Sequence, residues 1–444
     1  MRAQGRFPFA PTRRAALLFG VGLLWIVPAW IEPQAIVAMF LWNAIVMTAV
    51  VIDGVRLPPP AMLRVTRHWG GALMIGAPVS VTLELQNGGK TLVSASLTDY
   101  LAASLVREPV RVTVEARAGE TTRATYEALP RERGDVVTGE VIVEWRSAWR
   151  LLERWVRAPL EQTVRVYPDL HEARRHSMYL IRSQQVAIER RRARLPAAGR
   201  EFDRLRDYRP GDERRNVAWH VSARRGHLVT RLYQPERSQT VWLLIDAGRL
   251  LRARAGDQTL LDRTATAAAT VAQVAMGAGD NVGLVAYGRR VQHRLSPARG
   301  AAQMRRLTEA LALVRGEPVE ANHAAAAAAL RSAQPRRALI VWLTEIAETA
   351  GVPEVVEYAL TLVPGHVVLF ATMRHPDLAA ASGMSPATPG EMYRVVAAQE
   401  AVTRREALLR SLRQRGALVV QTSPDELSRG LVDRYLEVKE RGRL

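Results

Sequence analysis

Two acidic residues stand where chemistry at the edge of a sheet would need them. Asp246 directly follows the apolar run Thr240 to Ile245, and Glu345 comes two residues after the run Ala338 to Leu343. Unbroken apolar runs of this length are typical of strands buried in a parallel sheet. Because the carboxyl ends of parallel strands meet at one edge, we expect both carboxylates to lie there. Together with His220 they are the candidate set for a hydrolytic enzyme.

The motifs of the common catalytic classes are absent from the sequence. The chain has no cysteine, which excludes disulfides, thiolate nucleophiles and cysteine-ligated metal sites. It also has no G-x-x-x-x-G-K-[ST] phosphate loop and no H-E-x-x-H zinc motif. The stretch Gly383 to Ala387 lacks the second glycine of a G-x-S-x-G nucleophile elbow. We therefore expect a protein that is not an enzyme, with no catalytic residues and no cofactor.

The most distinctive segment runs from Gly199 to Leu228 and interleaves acidic with basic residues. Arginine guanidinium groups pair well with carboxylates, so one interpretation is a loop-rich, salt-bridged strap that fastens a linker to the next domain, with Tyr208 and Trp219 as anchors. The other interpretation, compatible with the first, is a partner-docking surface. His220 and His227 lack the accompanying ligands that a metal or catalytic role would need. The residues assigned to partner docking are Glu201, Phe202, Tyr208, Arg209, Pro210, Gly211, Asp212, Arg214, Trp219, Ser222 and Arg224.

The elements around Asp246 and Glu345 alternate between strand and helix from residue 236 to residue 444. Strands are predicted at 240–245, 281–287, 338–343, 366–371 and 417–421, and helices at 260–276, 301–314, 324–332, 355–362, 400–414 and 424–438. This alternation predicts an α/β domain with a parallel sheet covered on both faces. The composition of 377–390, rich in Ala, Ser, Pro and Gly, predicts a flexible loop.

The segment from Gly199 resembles the signature of the family called "domain of unknown function 58". The shared pattern is G-x-E-F-x-x-L-R-x-Y-x-P-G-D-x-x-R-x-V-x-W-x-x-S-A-R. The resemblance implies the layout of two membrane helices, a β-domain, this signature and a C-terminal domain of the von Willebrand A type, which is Rossmann-like. It also implies a partner, a MoxR-type AAA+ ATPase that acts in the assembly or maturation of other proteins.

The same resemblance implies a metal site at the sheet edge, from which this sequence departs. Von Willebrand A domains bind Mg²⁺ through a D-x-S-x-S loop with a later Thr and Asp, and hard oxygen ligands suit that ion. Here the loop reads Asp246-Ala247-Gly248-Arg249-Leu250, without either serine, and Glu345 stands in place of the later Asp. We expect a degenerate site of Asp246 and Glu345 without tight Mg²⁺ binding. The alternative is that Asp246 only ends a strand and caps a loop.

Residues 60–168 change to a period of two. Val79, Val81, Leu83 and Leu85 alternate with polar residues before a turn, and later runs repeat the pattern. Short alternating strands between turns predict a small antiparallel β-sandwich. Residues 169–235 then form an arginine-rich connector, with a helix predicted from Leu170 to about Ala193.

Residues 1–57 are interpreted as a transmembrane hairpin. The runs Ala15 to Ile31 and Ala35 to Ile52 carry no charged residue and approach the length that crosses a bilayer. One alternative, a cleaved signal peptide, is disfavoured by the second run. The other, buried helices of a soluble domain, is disfavoured by the near absence of polar residues in both runs. Arginines flank the pair at both outer ends while the turn between them has none, so the positive-inside rule predicts a two-pass protein of the inner membrane with its bulk in the cytoplasm.

The net charge of +19 suggests an anionic partner. Residues 190–225 would be the surface for a nucleic acid or an anionic lipid. The acidic residues interleaved with those arginines argue against such a surface.

Overall fold

The computed structural model describes residues 9–170, 201–209, 212, 214–234, 238–346, 353–374 and 376–441. Two compact units share the chain, the first ending at Tyr167 and the second beginning at Pro168. Apart from Leu170, the helix predicted up to Ala193 and the basic run at 190–194 lie outside the described residues.

The described part of the first unit, from residue 9 onward, starts with a short strand and three helices. They are β1 (Phe9–Pro11), α1 (Arg13–Leu23), α2 (Ile26–Ala29) and α3 (Ala35–Arg56). The first apolar run is therefore not one long helix, which corrects the expectation for Ala15 to Ile31. The reason is Pro28, which cannot donate a backbone hydrogen bond and whose ring crowds the carbonyl four residues earlier. That carbonyl belongs to Leu24, the C-cap residue of α1.

One helix among the described residues is long and apolar enough to cross a membrane. The apolar window lies within the span Ala35–Met62, has a mean hydropathy of 2.4 and is only 6% buried. No second helix in the described part of the chain is both long and apolar enough to cross a membrane.

Three sheets follow in the first unit. Their strands are β2 (Leu63–Trp69), β3 (Leu73–Met74), β4 (Val79–Asn87), β5 (Val93–Asp99), β6 (Val110–Ala116), β7 (Thr121–Ala128), β8 (Gly134–Val137), β9 (Val141–Arg146), β10 (Leu152–Ala158) and β11 (Thr163–Tyr167). The sheet orders are β1-β10-β9-β5-β6, β2-β4-β7 and β3-β11-β8. All pairings are antiparallel except β3 with β11.

The predicted alternation in this unit builds its core. Every second residue of β4 is buried, because successive side chains of a strand point to opposite faces. Leu83 and Leu85 of β4 pack in one cluster with Leu97, Val143 and Trp145 from the five-stranded sheet. The prediction of antiparallel sheets is therefore confirmed, with two of them contributing to a common core.

The first element described in the second unit is a two-stranded antiparallel hairpin, β12 (Glu201–Asp207) and β13 (Val229–Gln234). The connection holds a 3-10 turn at Arg214–Asn216 and the helix α4 (Trp219–Arg225), which ends at Gly226 in the left-handed conformation. We call residues 201–234 the signature hairpin. Its two paired strands, with one register shift between Phe202 and Arg204, correct the expectation of a loop-rich strap.

The rest of the second unit is an α/β domain. Its strands are β14 (Thr240–Asp246), β15 (Arg254–Ala255), β16 (Gln258–Thr259), β17 (Asn281–Tyr287), β18 (Val291–Ala298), β19 (Leu339–Leu343), β20 (Val367–Met373) and β21 (Leu418–Thr422). Its helices are α5 (Leu260–Gly277), α6 (Ala301–Leu313), α7 (His323–Ala333), α8 (Glu354–Leu362), α9 (Pro376–Gly383), α10 (Pro389–Gln414) and α11 (Leu427–Glu440). The five predicted strands are all present.

These five strands join β18 in a sheet of order β18-β17-β14-β19-β20-β21. They run parallel, whereas β18 turns back antiparallel on β17. The sheet is therefore mixed and not purely parallel, which corrects the prediction. The residues of β18 are exposed or half-buried. The strand therefore does not need the continuous apolar run that marks the other strands.

Helices cover both faces of this sheet. Leu243 faces α5, α6 and α11, whereas Trp242 and Leu244 face α7, α8 and α10. The predicted flexible loop at 377–390 is helical up to Gly383, in α9, and again from Pro389. Thr388 caps α10 in a capping box with Glu391, and Pro389 occupies the first turn of that helix.

Candidate functional site

Four polar residues lie together at the carboxyl edge of the six-stranded sheet, and two of them, Asp246 and Glu345, were candidate site residues from the sequence. Asp246 is the last residue of β14 and pairs in register with Tyr287, the last residue of β17. Thr344 and Glu345 follow β19. Asp246 and Glu345 therefore lie at the sheet edge where the sequence predicts them, and both line one pocket there.

Both carboxylate oxygens of Asp246 are engaged by its own chain. One accepts a hydrogen bond from the backbone N–H of Gly248 and the other from the Thr344 hydroxyl, each at 2.7 Å. Burial raises the pKa of Asp246 to about 6, with the Glu345 charge adding to it and the two hydrogen bonds opposing it. A Cβ atom at Gly248 would lie 2.8 Å from the backbone nitrogen of Ala321, so this turn needs glycine.

Glu345 is held by a buried arginine that sequence reasoning missed. Arg405 of α10 forms an ion pair with Glu345, and both side chains are almost fully buried. The Glu345 carboxylate also accepts from the Thr372 hydroxyl at 2.8 Å and from the backbone N–H groups of Ile346 and Met373. A buried charge needs such a partner because desolvation penalises it. Glu345 therefore serves to join β19, β20 and α10.

A hydrogen-bonded series of aromatic side chains leads into the same pocket. The Trp342 indole N–H donates to the Tyr287 hydroxyl at 2.7 Å, and that hydroxyl lies 3.0 Å from Nδ1 of His323. The Tyr287 oxygen accepts from Trp342, and which of Tyr287 and His323 donates in their shared hydrogen bond depends on the tautomer of the imidazole ring. Burial lowers the pKa of His323 to about 4 and raises that of Tyr287 well above its ordinary value.

The pocket at this edge has a volume of about 190 Å³. His323 contributes to its wall, whereas His220 does not, so the hydrolase set of Asp246, Glu345 and His220 is not brought together in the part of the chain that the structure describes. The lining residues are Asp246, Gly248, Arg249, Leu250, Glu320, Ala321, His323, Glu345, Pro353, Glu354 and Val355.

The donor set at this edge does not fit Mg²⁺. That ion demands near-octahedral oxygen ligation, but Glu345 is neutralised by Arg405 and both oxygens of Asp246 accept internal hydrogen bonds. Arg249 stands at the rim, where it pairs with Glu320 at 2.9 Å. Within the described ranges no group of three or more His, Cys, Asp or Glu side chains is arranged to hold a metal ion.

Two of the predicted docking residues make hydrogen bonds inside the signature hairpin. Asp212 accepts from Arg206 at 2.7 Å, from the backbone N–H of Arg209 at 3.0 Å and from Thr230 at 3.2 Å. Ser222 is buried and its hydroxyl accepts from the backbone N–H of Val229 at 2.9 Å. Both side chains are turned inward and close the hairpin.

Other predicted docking residues lie on its outside. Trp219 is 66% exposed, so the expectation that it anchors the segment on the next domain is wrong. Arg209, Arg214 and Arg224 are also exposed and Tyr208 is half-buried. Pro210 and Gly211 lie outside the described residues, as do the side chains of Glu201 and Phe202, whose backbone is in β12.

The two histidines of the signature hairpin carry no metal-site geometry. His220 is exposed, and His227 bonds to the Asp207 carboxylate at 3.0 Å on the surface. The residues that the sequence did not reveal are Arg405, Thr372, Tyr287, Trp342 and His323. Arg405 lies 60 residues from Glu345, and no local spacing connects the two.

Comparison with known proteins matches part of the chain to one family. Residues 204–369 match the model described as "Protein of unknown function DUF58". The resemblance drawn from the signature is therefore confirmed over this range, which includes most of the signature hairpin and the sheet edge.

Similar individual proteins are distant. Uncharacterized proteins from Mycobacterium bovis and Mycobacterium tuberculosis are 26% identical over 153 residues, 34% of this chain. The match covers 48% of each relative, so the chain spans about half the length of the curated relatives it matches.

Among solved structures, proximal thread matrix protein 1 of the mussel byssus has a TM-score of 0.28 at 13% identity, over 44% of this chain and 46% of that one. A PapD-like domain of human CEP192 has a TM-score of 0.17 at 18% identity, over 24% of this chain and 89% of that one. Scores this low carry no conclusion about the protein.

Proposed function

We propose that this protein is a membrane-anchored, non-enzymatic interaction module that docks a MoxR-type AAA+ ATPase through the outer face of the signature hairpin. The observation that carries the proposal is Trp219, a large aromatic side chain that is 66% exposed. Tryptophan and arginine are the residue types enriched at binding hot spots. Trp219 begins α4, the helix that also carries Arg224.

The construction of the hairpin supports a rigid docking face. The inward bonds of Asp212 and Ser222 hold the connection in place without using Trp219 or Arg214. A preformed surface loses less conformational entropy on binding than a flexible loop does. The partner itself comes from the family resemblance, and its chemistry would be an acidic, partly apolar surface that complements the exposed arginines.

We place the α/β domain in the von Willebrand A class as part of this proposal. Support comes from the mixed six-stranded sheet with helices on both faces and from the pocket at the carboxyl ends of β14 and β19. In this assignment the metal site is degenerate, because the carboxylate of Glu345 is already paired with the buried guanidinium of Arg405.

We also propose that α1, α2 and α3 together form a two-pass anchor with both ends in the cytoplasm. The helices approach closely, since the Trp42 indole donates to the carbonyl of Leu18 at 2.9 Å. A Cβ atom at Gly22 would lie 2.6 Å from Trp42 and Asn43 side-chain atoms. Small residues are typical of helix contacts in membranes. A reporter active only in the periplasm, fused after Leu444, should be silent, and a strong signal would overturn this topology.

The docking proposal is tested by capture on the immobilised MoxR-type ATPase of the same organism. The full chain, solubilised from membranes, is compared with Trp219→Ala and with the double variant Arg209→Glu/Arg214→Glu. Hot-spot residues contribute about 2 kcal/mol or more, so each change should weaken capture by roughly thirtyfold.

The matched control is Arg305→Glu/Arg306→Glu, which makes the same charge change at exposed positions of α6. It should bind as the unaltered chain does. Equal loss in the control would mean unspecific electrostatic attraction, and unchanged capture by the hairpin variants would refute the docking face.

A further inference from the structure

A buried carboxylate fixes one connection of the first unit to the end of the apolar helix. Asp53, one turn before the end of α3, is fully buried. It accepts hydrogen bonds from the Ser147 hydroxyl, the backbone N–H of Trp149 and the backbone N–H of Leu151. These donors belong to the connection between β9 and β10. Because a buried carboxylate without such donors is costly, the connection keeps its position at the helix end.

The other apolar helix meets the same connection. The backbone N–H of Thr12, the cap of α1, donates to the Leu151 carbonyl at 2.9 Å, and its hydroxyl donates to the Arg150 carbonyl. Arg13 and Arg14 follow Thr12 directly. The start of α1, the end of α3 and the β9–β10 connection therefore lie at one level.

Exposed basic and aromatic side chains gather at that level. Trp149 is 45% exposed, and the Arg56 guanidinium lies over its ring at 5.3 Å. Arg13, Arg14 and Arg150 are exposed as well. None of these four arginines has an ion pair in the described part of the chain. We name the set the interface collar: Arg13, Arg14, Arg56, Trp149 and Arg150.

The backbone of the collar is shaped for this display. Arg150 has a φ of 56°, and among the described residues it is the one non-glycine residue with positive φ. Such a conformation costs free energy. It persists here within the bonds that Asp53 and Thr12 make to the same connection, which turn residues 148–150 outward.

The apolar surface that begins at the collar indicates what covers it. Only 6% of the apolar window within Ala35–Met62 is buried against the rest of the chain. Tryptophan is enriched where a span leaves the hydrocarbon, at the level of the lipid headgroups. Arginine near an anionic leaflet is attracted to it. Charge and continuity with the span both point to phospholipid.

We propose that the interface collar binds the phosphate of an anionic phospholipid headgroup, which seats the β9–β10 connection on the membrane surface. This inference rests on the proposed membrane anchor and adds a lipid class and a site to it. Arg56 and Arg150 supply the charge, and Trp149 enters the headgroup region beside them. The carboxylate of Asp53 takes no part in binding and holds the connection in position.

The absence of cysteine makes the collar accessible to a single label. Ala148→Cys, next to Trp149 and exposed, carries an environment-sensitive dye in the full chain. The chain is reconstituted in vesicles of phosphatidylcholine alone or of an equal mixture with phosphatidylglycerol. The dye should shift to shorter emission wavelength in the mixture and be quenched by spin-labelled headgroups.

Glu161→Cys is the matched label position. It is exposed and follows β10, whose seven residues lead about 20 Å away from the connection. Its emission should not depend on phosphatidylglycerol. A third label at Ile45→Cys, on the exposed surface of α3, reports insertion through quenching by spin-labelled acyl chains.

The charge requirement is tested with Arg56→Gln/Arg150→Gln against Arg157→Gln/Arg165→Gln, which removes equal charge from arginines paired with Glu140 and Asp135. Each arginine near an anionic surface contributes about fivefold to binding, so the collar variant should bind phosphatidylglycerol about thirtyfold more weakly. The control pair should bind it normally.

Three results would contradict the proposal in distinguishable ways. Quenching at Ile45→Cys without any effect at Ala148→Cys would refute the collar and leave the anchor intact. No quenching at Ile45→Cys would refute the anchor itself. Displacement of phosphatidylglycerol by an equal concentration of inorganic phosphate would show a general phosphate site in place of a headgroup site.

Discussion

The sheet edge and the signature hairpin contain the same kinds of residue and use them in opposite ways. At the sheet edge, Glu345 and Arg405 are buried and neutralise each other. On the hairpin, Trp219 and Arg209 face solvent, while a serine and an aspartate form the interior. Residue type alone therefore marks neither region as functional. What separates them is whether each polar group already has an internal partner.

If the buried pair of Glu345 and Arg405 stabilises the sheet edge, removing one partner should destabilise the fold. Arg405→Leu leaves Glu345 buried without its countercharge, and breaking such a pair costs about 3–5 kcal/mol. Native-state hydrogen exchange in β19 and β20 of the full chain should show a loss of that size. Adding Glu345→Leu to Arg405→Leu should restore much of the protection, because an apolar pair needs no countercharge.

Arg404 is the natural control for Arg405. It is the adjacent residue on α10 but is exposed, with an ion pair to Glu400. Exposed pairs contribute only about 0–1 kcal/mol, so Arg404→Leu should leave exchange nearly unchanged. Similar losses in the two variants would mean that the burial of Arg405 has no energetic consequence.

Asp246 gives the sheet edge a pH dependence. Its pKa in the folded chain is about 6, above the ordinary value of 3.8. The folded state therefore holds the proton more tightly, and stability from this group is present below the ordinary value and is lost as pH rises towards 6. The difference corresponds to about 3 kcal/mol.

Asp246→Asn removes that dependence while keeping polar atoms near Gly248 and Thr344. We expect the variant to gain about 3 kcal/mol relative to the unaltered chain between pH 4 and pH 7, measured by hydrogen exchange in β14 corrected for intrinsic rates. A difference that stays constant across this range would place the pKa of Asp246 near its ordinary value.

Within the signature hairpin, too, replacing a buried residue should reduce stability more than replacing an exposed one. Ser222→Ala leaves the N–H of Val229 without its acceptor, which costs about 1–3 kcal/mol for a buried group. Trp219→Ala, at an exposed position, should change stability by about 0.5 kcal/mol or less. Exchange of the β13 amides measures both, and a larger loss in Trp219→Ala would mean that this side chain packs against its own chain.

Much of the α/β domain could be predicted because its strands carry a strong local signal. The runs ending at Asp246 and before Glu345 are apolar throughout, as buried central strands must be. β18 was missed because it is an edge strand with half-exposed residues. The hairpin strand β12 was missed because its sequence, EFDRLRD, has charge on most positions and no apolar face to recognise.

Only the site residues that lie at or just after the end of a predicted strand could be placed from the sequence. Asp246 and Glu345 could be placed at one edge from topology, whereas Arg405 could not, because its contact with Glu345 depends on how α10 packs across the sheet. Trp219 was interpreted both as an anchor and as a docking residue, because a sequence does not show on which side of a seven-residue helix the ring lies. The sequence therefore does not predict which residues that are far apart along the chain contact each other.

The smallest effect is expected for Mg²⁺ at the sheet edge. A metal ion would have to displace the hydrogen bonds of Gly248 and Thr344 to Asp246, and Arg405 already compensates the charge of Glu345. Calorimetry of the full chain should show no binding at sub-millimolar Mg²⁺, and unfolding should be insensitive to the ion because a ligand stabilises only what it binds. Arg405→Leu provides the sharper version, since it frees the carboxylate of Glu345 and should raise Mg²⁺ affinity from this baseline. A binding isotherm in the unaltered chain that Asp246→Ala abolishes would mean that the internal bonds of Asp246 give way to a metal, and the sheet edge would then be a ligand site in its own right.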